Sequence, residues 1–366
     1  MAESAGVHTP TFNQGGTGVL DTAANLPRLG GFGESTPANI NPDALVKSLR
    51  DIVVTLEAMQ PIIGSGFPRS GPSGTSAGVR AAPGIEYQDY KYGTKWINTG
   101  TLASPYWEMV GDPGVGRTWG MRLNPHIAGT AISDTGTSNV RADGWTALGD
   151  GIAEADSGVL ELAATEGGRA LRLTASATSG KLIAMAPAVV TNAGPWQADQ
   201  HYHGIIDVEV AHDTAITARR EFLGMVGLAA VGLVSPITGA TVTATLVQDD
   251  LSLLHMDTGY TAADHYMVAS NKSDAAATVA VTDTGVVKAA AGVFDRLRAE
   301  FNLDPADATK VIAEFYVNKV RVAVDTDALD ENEEHNPVFG IVSLASATKI
   351  ADIRNLVFVA GEKANG

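Results

Sequence analysis

No chemistry in this chain can rest on cysteine, because it contains none. Disulfides, zinc fingers, dithiol redox centres and thiol nucleophiles all require that residue. The string "HYH" places His201 and His203 two apart, on one face of a strand, a spacing that suits a metal pair. No third ligand is fixed by spacing beside them, so two ordinary strand residues are the alternative. His255 and His265 flank a turn signal and read as loop or edge residues. "DTDALDENEEH" (Asp325–His335) is an acidic loop. Calcium takes about six to eight oxygens held in a tight curve, and a solvated acidic loop has the same composition. Glycoside cleavage needs two acids about 5–10 Å apart in a groove. The nearest arrangement is "DVEV", whose Asp207 and Glu209 fall on the outer face of an alternating strand, where solvated acids are expected.

Other motifs fail on context. "GGTGVLDT" (Gly15–Thr22) lacks the Lys-Ser/Thr pair of a phosphate loop. "GVGRTWG" (Gly114–Gly120) lacks the strand-turn-helix setting of a dinucleotide fingerprint. "SATK" (Ser346–Lys349) has no companion motif, and no G-x-S-x-G elbow occurs. The expectation is therefore a chain with no catalytic residue, no cofactor and no metal, and hence not an enzyme.

The elements that would position any site are strands. "GIIDVEVAHD" alternates Ile206, Val208 and Val210 against Asp207 and Glu209. "LRAEFNLD" alternates Leu297, Ala299, Phe301 and Leu303 against Arg298, Glu300 and Asn302. "TVTATLVQ", "KVIAEFYVNKVRVAV" (turning at Asn318-Lys319), "PVFGIVSLAS" and "IRNLVFVAG" continue the pattern. Each is a half-buried strand. The most apolar run, Phe222–Val234, is too short to span a bilayer, which needs about 20 residues; it reads as a strand buried on both faces. Many such strands without helical interludes after residue 150 argue for an antiparallel two-sheet sandwich over 150–366.

The N-terminal part differs. Residues 1–40 carry no period, and Phe12, Leu20, Leu26, Leu29 and Phe32 stand singly among Gly, Pro, Thr and Asn. Such a stretch is a disordered tail or an extended arm ordered on a partner, each apolar residue in its own pocket; the arm is the reading adopted. Asn41 then caps a helix with Pro42 at its first position, and Pro61 stops it. Leu45, Leu49, Ile52, Leu56 and Met59 follow at spacings of 4, 3, 4 and 3, the seam of a coiled coil. Two heptads are marginal alone. Packing on the chain's own β domain is one outcome, and association with sister copies, as a trimer, is the one adopted. Residues 63–84 are dense in Gly, Ser and Pro and read as a flexible linker after the 41–62 helix. Residues 85–149 read as a small β module and connecting loops. Tyr90, Tyr92, Trp96, Tyr106 and Trp107 read as its core, with a carbohydrate-stacking platform as the alternative, and "NTGT" (Asn98–Thr101) reads as a turn between two strands.

The 366 residues are 45% apolar and 18% charged, with 40 glycines, which is not a disordered composition. The net charge of −16 repels phosphate backbones, so no nucleic-acid partner is expected. Residues 1–30 contain no apolar core segment of a secretion signal, and no membrane partner is expected.

Two family resemblances appear on these residues. "FDRLRAEFNLD…KVIAEFYVNKVRVAVDT…NPVFGIVSLAS…IADIRNLVFVAG" resembles the last part of a concanavalin-like jelly roll, with Lys319 where a turn glycine is common. "YGTKWINTGTLASPYWEMVG" resembles a short β segment of bacteriophage virion proteins, where it precedes a jelly roll in head-decoration and fibre-like proteins. The resemblance implies an all-β chain: an antiparallel jelly-roll β-sandwich preceded by a small β module, a short oligomerising helix and an extended N-terminal arm. It implies a structural virion protein, a capsid decoration or head-fibre component made in the host cytoplasm. Its partners would be itself and the major capsid protein or other virion proteins. A tail-fibre or spike adhesin holding a host glycan is the alternative.

Overall fold

The computed structural model describes residues 47, 50–52, 61–71, 79–110, 118–123, 139–140, 144–152, 154, 156–165, 168–187, 196–201, 203–212, 218–227, 237–240, 243–246, 250–260, 262, 264–272 and 277–361. Strands dominate. The N-terminal set is β1 (Ile62–Gly64), β2 (Glu86–Asp89), β3 (Lys95–Asn98) and β4 (Trp107–Val110). Then come β5 (Thr118–Arg122), β6 (Asn139–Val140), β7 (Trp145–Leu148), β8 (Gly158–Thr165), β9 (Gly168–Ala175) and β10 (Leu182–Pro187). A helical turn, α1 (Ala198–His201), leads into β11 (His203–His212) and β12 (Arg219–Gly227). After these follow β13 (Ile237–Ala240), β14 (Thr243–Leu246), β15 (Leu251–Asp257), β16 (His265–Asn271), β17 (Ala277–Ala280) and β18 (Thr282–Val287). The chain closes with β19 (Asp295–Leu303), β20 (Val311–Val317), β21 (Val320–Asp325), β22 (His335–Ser343) and β23 (Lys349–Gly361).

The fold is the expected antiparallel jelly-roll sandwich. One sheet runs β21-β20-β19-β11-β23-β9-β8, with β5 added alongside β23; the other runs β18-β16-β15-β12-β22-β10-β7-β6. Non-sequential neighbours such as β11 between β19 and β23 make the crossovers of the roll. The alternation read from sequence sets which side chains enter the core. Ile206, Val208 and Val210 of β11 meet Leu297, Ala299 and Phe301 of β19 and Ala313 and Phe315 of β20 between the sheets. Leu223, Met225, Leu254, Met256, Phe339 and Ile341 fill the same layer from the other sheet. Each such side chain contributes about 1.5–3 kcal/mol by leaving water. The described part of the apolar run, Phe222–Gly227, is the inner part of β12 and is buried on both faces, as expected. Its outward residues Phe222 and Val226 join Leu182, Leu251, Leu253, Val338 and Val342 in a second cluster, and Val279 of β17 packs against it. β17 belongs to a small third sheet, β13-β14-β17.

The hairpin between β20 and β21 turns at Asn318 and Lys319, whose φ values are 49° and 70°. Two positive φ values in a two-residue loop match the twist of the flanking strands. Lysine tolerates the position while its Nζ reaches Glu108 at 3.0 Å.

The sandwich starts earlier than residue 150, because β5 pairs with β23 and β7 with β10. The described part of the segment read as a flexible linker, 63–71 and 79–84, also differs, and 72–78 lie outside the described residues. Ile62–Gly64 pairs in parallel with Tyr87–Asp89. Phe67 is buried with its ring 4.8 Å from Trp96 and 5.3 Å from Tyr92, and Ser70 and Ala81 are fully buried. Composition suggested mobility, but the glycines let the backbone approach closely. Gly66 N donates to Asp89 Oδ1, and Gly71 N to the Pro105 carbonyl. In the "NTGT" turn the connection from β3 to β4 is longer than expected and is organised by Asn98. Its Oδ1 accepts from the N–H groups of Gly100 and Tyr106, both at 2.9 Å, and its Nδ2 donates to the Ala81 carbonyl at 2.7 Å. A Cβ on Gly100 would lie 2.5 Å from the Ser104 carbonyl oxygen, so only glycine fits there.

Candidate functional site

A dense set of ionisable side chains lies where the small module, β1–β4, covers the outer face of the β19-β11 sheet. Alternation that sends Leu297, Ala299 and Phe301 inward sends Arg296, Arg298, Glu300 and Asn302 outward. Register places Asp207 opposite Arg298 and Ala299 opposite Phe315, so Glu300 stands opposite Glu314. On an open sheet these groups would be solvated. Here Tyr106 and Trp107 of the module close over them, and Asp207, Arg298, Glu300 and Glu314 are all buried.

Arg298 is the hub. Its Nη2 and Nε donate to Asp207 Oδ2 at 2.7 and 2.9 Å, and its Nη1 donates to the Trp107 carbonyl at 2.6 Å and to Glu300 at 3.1 Å. Its guanidinium stacks 4.0 Å from the centre of the Tyr106 ring. Arg296 holds Asp207 from the other side at 2.7 Å and reaches Glu108 of β4 at 2.6 Å. Tyr106 OH donates to Asp207 at 3.3 Å. At the margin, Glu314 accepts from Arg69 at 3.2 Å and from Arg321 at 2.6 Å. Burial alone would raise the Asp207 carboxyl, but the Arg298 and Arg296 charges outweigh it and hold it below the ordinary range. Glu300 goes the other way: burial dominates, Glu314 adds repulsion, and its pKa rises despite Arg298. Burial also pushes the Tyr106 phenol well above its ordinary value. The chemistry of this arrangement is cohesion: five module groups (Arg69, Ser70, Tyr106, the Trp107 carbonyl and Glu108) lock onto one sheet face.

A second buried ionic group sits between the sheets at one end of the roll. His212 Nδ1 lies 2.8 Å from Glu221, and Arg219 Nη1 lies 3.3 Å from the same carboxylate. Burial would raise Glu221, but His212 and Arg219 hold it down. Tyr266 OH donates to Asp295 nearby at 3.0 Å.

The residues singled out in the sequence fare differently. Asp207 is buried instead of solvated, because the module, about a hundred residues upstream, covers it. Glu209 is half-buried and pairs with Arg354. His201 and His203 are not a pair: His201 ends α1 and contacts the Gln197 carbonyl, while His203 hydrogen-bonds Asn302 at 2.7 Å and stacks on Phe67. Burial lowers the His203 pKa. His255 is not a loop residue but lies inside β15, buried, with its Nε2 2.8 Å from Tyr260 OH. His265 does stand near an edge, against Asp283 at 2.9 Å. In the acidic loop, Asp327 pairs with Lys272, Ala328 and Leu329 are buried, and Asp325 and Asp330 cap local backbone N–H groups. Among the described residues no group of three or more His, Asp or Glu is placed to hold a metal. Among the same residues no helix is long and apolar enough to cross a membrane. Of the helix seam only Ile52 is described, half-buried, with Lys47, Arg50 and Asp51 exposed around it. Leu45, Leu49, Leu56 and Met59, and the arm residues Phe12, Leu20, Leu26, Leu29 and Phe32, lie outside the described residues.

No protein-family model matches the chain, and no curated protein matches it. Solved structures do. A peanut lectin with a bound peptide matches at 12% identity and a TM-score of 0.40, over 68% of this chain and 99% of that one. An alginate lyase in complex with an alginate trisaccharide matches at 12% identity and a TM-score of 0.38, over 67% and 98%. An endo-β-1,4-glucuronan lyase from the fungus Trichoderma reesei matches at 11% identity and a TM-score of 0.36, over 61% and 94%. Two of these three are enzymes, which overturns the sequence-based expectation that the chain is not one; that expectation is withdrawn. At such identities and scores no substrate or reaction passes from them to this chain.

Proposed function

We propose that the chain is a structural component of a bacteriophage particle, of the capsid-decoration or head-fibre kind. In this reading residues 1–40 dock on the shell through Phe12, Leu20, Leu26, Leu29 and Phe32. The 41–62 helix joins copies through Leu45, Leu49, Ile52, Leu56 and Met59, and the β part is held out from the surface.

The observation that supports this reading is the closure of the module over the sandwich. A flexible linker directly before the sandwich would leave each sandwich swinging independently. The Asp207, Arg296 and Arg298 network instead ties Tyr106, Trp107 and Glu108 of the module to the sheet face. What enters from the N-terminal side is then a stalk that ends on one firm body. Many weak pocket contacts made in parallel by an oligomer give avidity without new chemistry at any one of them.

Light scattering of the full chain tests the assembly. A trimer is expected, and Leu49→Asp should convert it to monomer with its near-ultraviolet circular dichroism unchanged. Mass analysis of purified particles of the encoding phage should find the chain in fixed ratio to the major capsid protein. Its absence from those particles, or a monomeric full-length chain at micromolar concentration, overturns the reading.

A further inference from the structure

We propose that the outward face of the module sheet is a second contact surface, and that its partner is the module of a neighbouring copy of this chain. This rests on the reading that the 41–62 helix joins copies. The face is defined by register. Ile63 pairs with Gln88, Gln88 with Lys95, and Lys95 with Val110, so one residue from each of the four strands stands in a single row. All four are exposed. Tyr90 follows on the same side as Gln88, its N–H bonded to the Gly64 carbonyl at 2.9 Å. The opposite face of the sheet carries Tyr87, Trp96, Trp107 and Met109 and packs on Ile205 and Val359 of the sandwich. The row is therefore left uncovered by the described residues of the chain's own sandwich.

That row is unusually apolar for a solvent face. Among the described residues seven large apolar side chains are exposed, and three belong to this small sheet: Ile63 at 70%, Tyr90 at 69% and Val110 at 51%. β1 is also an edge strand of sequence Ile-Ile-Gly, with no charge to protect it.

The position of the preceding chain identifies the occupant. Pro61 alone separates Gln60, where the helix is expected to stop, from β1. Two residues reach at most about 7 Å, and packed helices lie with their axes about 8–10 Å apart. Copies joined in parallel through the helix seam therefore bring their β1 strands to adjacent positions around the axis. There the second contact is intramolecular in effect, so a modest apolar surface mixed with Gln88 and Lys95 is enough.

Because the native chain has no cysteine, one introduced residue gives an unambiguous crosslink. Ile63→Cys and Tyr90→Cys, in the full chain with a short bis-maleimide, should each yield covalent dimers. Val287→Cys, exposed on β18 of the sandwich, should not. Ile63→Glu combined with Tyr90→Glu should raise the concentration at which the assembly half-dissociates by about tenfold or more, with near-ultraviolet circular dichroism unchanged. An intact oligomer in which Ile63→Cys crosslinks no better than Val287→Cys overturns this inference and leaves the assembly reading standing. So does a double variant, Leu56→Cys with Ile63→Cys, that closes within one chain and forms no dimer, since the helix would then cover its own module. A monomeric full-length chain removes the assembly reading itself, and the inference with it.

Discussion

At the scale of single residues, Asn98 organises the module from within and Arg298 helps fix it to the sheet, and each makes a separate prediction. Asn98 satisfies two N–H groups of the β3–β4 connection and the Ala81 carbonyl while itself buried. Asn98→Ala leaves two N–H groups and one carbonyl without partners, at about 1 kcal/mol or more each. A loss of about 3 kcal/mol in urea unfolding is expected, and a loss below about 1 would show that water replaces the side chain. Asn98→Asp keeps the two acceptor bonds and should fall between. Among the described residues Arg298 bonds Asp207, Glu300 and the Trp107 carbonyl together. Arg298→Met should cost about 3–5 kcal/mol, because it strands buried carboxylates. Adding Asp207→Asn to it should recover part of the loss. If the two changes were simply additive, the charges would not be coupled.

At the scale of elements, strands were legible and their coverings were not. The period-two pattern identified the inward residues of β11, β19 and β20 and the apolar run of β12, because alternation reports a strand's two faces locally. It cannot report what lies on the outer face. Tyr106 meets Asp207 across 101 positions and Arg298 meets the Trp107 carbonyl across 191, and no local period connects them. Asp207 therefore read as solvated. His255 read as a loop or edge residue for a related reason: all seven positions of β15 are buried, so the strand lacks the polar alternation that marks a half-buried one. The "GSGFPRSG" stretch misled through composition, since Phe67 is anchored by the Trp96 ring and Ser70 by the Trp107 N–H, both well along the chain. One signal was present in that stretch: a phenylalanine and an arginine in a segment otherwise suited to solvent. The central strands also carry a test of close approach. A Cβ on Gly224 would lie 2.1 Å from the Ser252 carbonyl oxygen on neighbouring β15. Gly224→Ala should therefore part β12 from β15 at a cost of about 3 kcal/mol or more. Its thermal midpoint, compared with that of Gly285→Ala in the exposed β18 strand, where a Cβ meets nothing within 4 Å, separates this clash from backbone strain alone.

At the scale of the whole molecule, the buried titratable groups make stability depend on pH, and the sign follows from each shift. Asp207, Glu108 and Glu221 all titrate below their ordinary values in the folded chain. Each contributes stability that is present above its unfolded value and lost as pH falls through its folded one, which places the loss below about pH 4. Glu300 has the opposite sign. Its folded pKa is raised, so its contribution is present in acid and lost as pH rises, which partly offsets the other three. The histidines act earlier. Burial holds His255 down to about 3 and lowers His203 from 6.5. Both are neutral in the folded chain while the unfolded chain takes up protons, so stability falls as pH drops below about 6.5. For His255 alone the loss between pH 7.5 and 4.5 is about 2–3 kcal/mol. The urea midpoint should therefore be lower at pH 4.5 than at 7.5, before the carboxylates of the module interface begin to protonate. His255→Leu should be less stable at pH 7.5, through the lost bond to Tyr260, yet show a flatter profile across that interval. If its slope matched that of the unaltered chain, the acid sensitivity would belong to His203 under the module. Trp96 and Trp107 fluorescence would then change ahead of the far-ultraviolet signal of the sandwich, because the module would release first.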